Sequence, residues 1–94
     1  MQITTRSGFE CDIKESAFDD YRIVKMIAKL QEESGAEQLK TVTEIISRVL
    51  GEEQEENMIS FLEERSEEGI ATVEAMQDEL QAIMEALTEA KKKS

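Results

Sequence analysis

The chain has 94 residues, 39% of them hydrophobic and only 4% aromatic, enough for one small domain with an aliphatic core. Its 22 acids against 11 bases give a net charge of −11, which disfavours nonspecific attachment to nucleic-acid phosphate or anionic lipid. The absence of histidine excludes histidine triads, histidine metal sites and histidine acid–base chemistry.

A single cysteine forms no internal disulfide, no apolar run approaches the roughly 20 residues of a membrane helix, and Met1 to Thr5 do not read as a signal peptide, so an intracellular chain is expected. Without proline, nothing interrupts helices. The charge is uneven. Residues 52–89 hold 13 acids and one base, Arg65, and the remainder holds 9 acids and 10 bases. No repeat or flexible linker divides the chain, and residues 1–94 read as a single domain.

In the first stretch Phe9, Cys11 and Ile13 alternate with Glu10, Asp12 and Lys14, the period-two pattern of a half-buried strand. Ile3 to Arg6 is rich in β-branched residues and Ser7-Gly8 is a turn signal, so residues 1–14 read as a hairpin that must lean on helices. From Ser16, an N-cap with Asp19 in the first turn, Ile23, Ile27 and Leu30 recur at helical spacing, with Tyr21, Val24 and Ala28 widening the stripe; this helix is expected over 16–34, closed by Gly35. A second helix over 37–50 carries Leu39, Val42, Ile46 and Val49, with Ile45 and Leu50 beside them, a face so broad that it should be the central buried element. A third spans 52–67, opening on four glutamates and gathering Met58, Ile59, Phe61 and Leu62. The last, over 72–91 with Thr72 as N-cap, places Val73, Met76, Leu80, Ile83 and Leu87 at a and d positions of a heptad, and Lys91 to Lys93 complement the negative end of its dipole. The expected fold is mainly α: a bundle of about four helices with a short N-terminal β-hairpin.

No motif points to catalysis. The recurrent acid pairs lack the alternation and central glycine of a calcium loop, and neighbouring acids on a helix point about 100° apart, so they read as solvated faces. Cys11, between two acids, reads as a small core residue rather than a nucleophile. The four glycines are too dispersed for a phosphate or dinucleotide loop. Met26, Met58, Met76 and Met84 lie in helical segments, where thioethers either fill irregular core gaps or adapt a contact surface to several apolar shapes. No catalytic, cofactor-binding or metal-ligating residue is expected, and no cofactor.

The order of elements carries a resemblance. A strand pair through Phe9-Glu10-Cys11-Asp12-Ile13 leads to Tyr21-Arg22-Ile23-Val24, then to a helix ending Ile46-Ser47-Arg48-Val49-Leu50-Gly51, then Glu53-Gln54, Phe61-Leu62, Gly69 and a final amphipathic acidic helix. Over nearly its whole length the chain resembles the small tail assembly chaperones of long-tailed bacteriophages, with Leu50-Gly51-Glu52-Glu53-Gln54 the most weighty passage. The resemblance implies binding to the tail tape measure protein, and to tail tube subunits, in the host cell cytoplasm, with no place in the mature virion. It also implies two products, a longer one arising by a ribosomal frameshift near the Lys91-Lys92-Lys93 codons. A tape measure protein is long, helical and apolar, and an acidic helical module that covers it would keep it soluble.

The expected partner-binding face is Met76, Leu80, Ile83, Met84 and Leu87, open to a client helix or to a second copy, unless the row packs inside one monomer. Self-association of so acidic a chain is expected to strengthen with salt. No nucleic acid or membrane partner is expected. The alternative function is an acidic DNA mimic that inhibits a host nucleic-acid-binding protein; a small hydrolase working through paired carboxylates is a third reading.

Overall fold

The computed structural model describes residues 1–93. Strand β1 (Gln2–Thr4) pairs antiparallel with β2 (Glu10–Asp12) in the register Gln2↔Asp12, Ile3↔Cys11, Thr4↔Glu10. The turn between them closes when the Gly8 N–H donates to the Thr5 carbonyl at 2.9 Å and the Thr5 N–H donates to the Phe9 carbonyl at 2.9 Å. Gly8 sits at φ +96°, where a side chain would be strained. The alternation holds: Ile3, Phe9, Cys11 and Ile13 all face the core.

Four helices follow: α1 (Tyr21–Leu30), α2 (Gly35–Leu50), α3 (Glu52–Arg65) and α4 (Val73–Lys93). Helix α2 packs against each of the other three, so it is the central element. Ile23, Ile45, Ile46, Met58 and Ile83, one or two from each helix, form the fully buried centre. The hairpin lies against α4 through β1 and against α3 through its turn.

Several boundaries differ from the expectation, each for a local reason. The segment from Ser16 makes only a 3-10 turn at Ala17–Asp19, because the Ser16 side chain makes no capping bond. The cap belongs to Asp20, whose Oδ1 accepts the Arg22 N–H at 2.9 Å, so α1 starts at Tyr21. Helix α1 ends at Leu30 without a glycine, as the N–H groups of Glu32 and Glu33 both turn back to the Lys29 carbonyl. Gly35, at φ +61°, instead opens α2, which therefore begins two residues earlier than expected. Ser66, in extended conformation, stops α3 at Arg65. Thr72 caps α4 as expected, its Oγ1 accepting the Ala75 N–H at 3.1 Å.

Five apolar residues expected on buried stripes are exposed: Tyr21, Val24, Ala28, Leu39 and Val73. Around α1 at 100° per residue, Ile23, Met26, Ile27 and Leu30 occupy the inward arc, leaving Tyr21, Val24 and Ala28 together on the opposite side.

Candidate partner-binding surface

The heptad row of α4 turns inward after the exposed Val73. Leu80, Ile83 and Leu87 are at most 5% exposed, and Met76 and Met84 are half-buried at the margins. Leu80, Ile83 and Leu87 belong to one buried cluster with α2 and hairpin residues of the same chain, with Met76 packed against it, so the folded monomer withholds them from a client or a second copy. The physical reason is the size of the domain: a chain this short has no other large apolar surface with which to cover α2.

Sequence periodicity also missed half of the buried arc of α4. Ala82 is buried and Ala86 and Ala90 are partly buried, one turn apart, and these small residues let β1 lie close along the helix. Beside them Glu79 is 3% exposed, the exception to the reading of the acid pairs as solvated. The Thr5 hydroxyl donates to Glu79 Oε2 at 2.7 Å and itself accepts the Phe9 N–H at 3.2 Å, so the carboxylate is tied to the hairpin turn. Arg6 pairs with Glu85 just outside. The alanines at four-residue spacing were the available sequence signal for this contact; the Thr5–Glu79 pairing left none.

Cys11 is buried and free. Burial first, then the Glu79 and Asp12 carboxylates, push its thiol up from 9.0 to about 11, the opposite of what a nucleophile requires. Among the described residues no group of three or more acids or cysteines is placed to hold a metal ion, and no helix is long and apolar enough to cross a membrane.

Gln54, in the passage that carried most of the resemblance, acts as a substitute strand. Its Oε1 accepts the Asp12 N–H at 2.6 Å, and its Nε2 donates to the Asp12 carbonyl at 2.7 Å and to the Leu50 carbonyl at 2.9 Å. One amide thereby covers part of the open edge of β2 and binds it to the α2–α3 junction. At the far end of α3, the Phe61 ring meets Phe9 at 5.4 Å between centroids, and Arg65 lies over Phe61 while donating to the Ser7 carbonyl. These residues are therefore structural.

Large apolar side chains stay exposed at Leu39, Ile70 and Val73, and two more, Tyr21 and Val24, share one helix face on the outer side of α1. Tyr21 is 74% exposed and Val24 44%, with the exposed Ala28 completing an apolar strip two turns long. Along its border run Lys25, Lys29 and Arg22, which with Arg48, Met26, Thr43, Glu44 and Ser47 line an open groove of about 630 Å³ between α1 and α2. Arg48 is already paired with Asp20 at 2.8 Å, and that bond, with the Arg22 N–H, holds the Asp20 carboxyl below the usual range. Among the described residues Arg22, Lys25 and Lys29 make no ion pair.

The chain matches no protein-family model, no curated protein and no solved structure.

Proposed function

We propose that the protein is a noncatalytic binding module that acts as a phage tail assembly chaperone, holding the tape measure protein soluble in the host cytoplasm while the tail is built. The observation that carries this reading is the apolar strip Tyr21–Val24–Ala28, left outside a complete core on a chain of net charge −11. An aromatic and a branched aliphatic side chain at i and i+3 make a docking ridge for one face of an apolar helix. The acidic remainder of the molecule would keep the complex dispersed. The client's identity comes from the order of sequence elements that resembles this chaperone family, and the strip supplies a surface in place of the buried α4 row. The mimic reading has weaker support, because the same small molecule carries a basic groove beside the strip.

Co-expression tests the proposal. The tape measure protein should accumulate in the soluble fraction and co-purify with the chain, and Tyr21→Ser with Val24→Ser should lose both effects while melting as the parent does. A client that stays insoluble with the parent chain, or that is rescued equally by the doubly substituted one, overturns the client or the surface respectively.

A further inference from the structure

We infer that the basic groove between α1 and α2 is a self-association site, and that its occupant is the outer face of α3 from a second copy of this chain. The inference is independent of the client reading.

Two sets of unpaired charge face solvent on the same molecule. One is Arg22, Lys25 and Lys29, around a groove whose single lining acid is Glu44 and whose Arg48 is already held by Asp20. The other lies on α3. At 100° per residue, Glu52, Glu53, Glu56, Glu63 and Glu64 fall within an arc of about 120°, opposite the buried Met58. All five are exposed, and among the described residues none makes an ion pair.

The spacings match. Arg22 and Lys29 are seven residues apart on one helix, as are Glu56 and Glu63 on the other, and each separation is about 10.5 Å along a helix axis. An α3 helix laid along the groove therefore brings Glu56 and Glu63 to cations at once, with the α2 wall and Met26 beneath. Within one chain the two sets do not pair, so a second copy is where these charges are neutralised.

Net charge opposes the contact at long range and the local pairs favour it at short range. At about 0.1 M salt the screening length is about 10 Å, enough to weaken the diffuse repulsion between acidic bodies while leaving touching ion pairs intact. Association should thus weaken, not strengthen, as salt rises from about 0.1 M to about 1 M. That is the reverse of what net charge alone predicts.

Sedimentation across a concentration series tests this. At about 0.1 M salt the parent chain should associate. Lys25→Ser with Lys29→Ser, and separately Glu56→Gln with Glu63→Gln, should each weaken association on the order of tenfold, because several exposed ion pairs are removed together. All four positions are exposed, so both proteins should still fold, the glutamine variant melting like the parent or higher. The decisive step is to mix the two variants. One retains the acid face and the other the groove, so the mixture should form a 1:1 complex that neither makes alone. A parent chain that stays monomeric, association indifferent to the groove, or a mixture that remains unassociated overturns the inference.

Discussion

Thr5 and Glu79 lie 74 positions apart and are joined by one buried hydrogen bond. A hydroxyl-to-carboxylate bond is of the stronger kind, and removing its donor leaves a charged acceptor buried. Thr5→Val should therefore cost about 1–3 kcal/mol, and about 4–8 °C of melting temperature per kcal/mol, while Thr5→Ser should recover most of the loss. Equal melts for the valine and parent chains would remove the pair from the account of stability. Cys11 supplies a pH signature. The unfolded thiol ionises near 9.0 and the folded one near 11, so over that window the unfolded state releases a proton first and stability falls as pH rises. Below pH 9 the contribution is fully present. Cys11→Ala should flatten this alkaline decline in thermal melts, and a native thiol should react slowly with alkylating reagents at neutral pH. Burial of Cys11 was legible from its place in an alternating strand. Burial of Glu79 was not, because its only warrant is a partner at the other end of the chain.

At the scale of the element, boundaries are decided by single polar groups. Gly51 joins α2 to α3 at φ 82° and ψ 163°, a region essentially reserved for glycine, while its N–H caps α2 at the Ser47 carbonyl. A β-carbon there would meet nothing within 4 Å, so Gly51→Ala tests backbone strain alone. It should cost about 1–3 kcal/mol in a denaturant melt, with the slope of the transition unchanged. Gln54→Ala should unpin β2. Hydrogen exchange at the Asp12 amide should accelerate, and Gln54→Glu should not restore protection fully, since an oxygen replaces the nitrogen that donates to the Asp12 and Leu50 carbonyls. The centrality of α2 was legible in its broad apolar face, and Ile46→Ala should cost about 2–5 kcal/mol accordingly. The start of α1 was not legible, since Ser16 and Asp20 are both good caps and only the Arg22 N–H and Arg48, from another helix, favour the second. Nor could periodicity assign Tyr21 and Val24 to solvent; that depends on which arc of α1 meets α2.

At the scale of the molecule, most of the acids make no ion pair among the described residues, and the few pairs present lie at exposed or partly exposed positions of modest worth. Repulsion among the acids of residues 52–89 should dominate those pairs. Raising salt from about 0.01 M to about 1 M, over which the screening length falls from about 30 Å to about 3 Å, should therefore raise the melting temperature. A fall would mean that the surface pairs outweigh the repulsion. Charge segregation was fully legible in the sequence, as was the mainly helical architecture with its hairpin. The candidate surface was not. The heptad row of α4 reads identically whether its partner is a second chain or the same one, and only the short supply of apolar surface elsewhere decides for the same one.

The hairpin is made before the helices and α4 after the other three, yet each covers the other. Until the residues around Glu79, Ile83 and Leu87 have left the ribosome, Ile3, Phe9, Cys11 and Ile13 have no helix to lie against. At about 5–20 residues per second, the nascent chain spends about one to six seconds between completing α3 and completing α4, with the hydrophobic side of the other helices uncovered. Folding is thus deferred until α4 has emerged, and a chain cut short before α4 should be recovered as a substrate of chaperones and proteases rather than as a smaller folded domain.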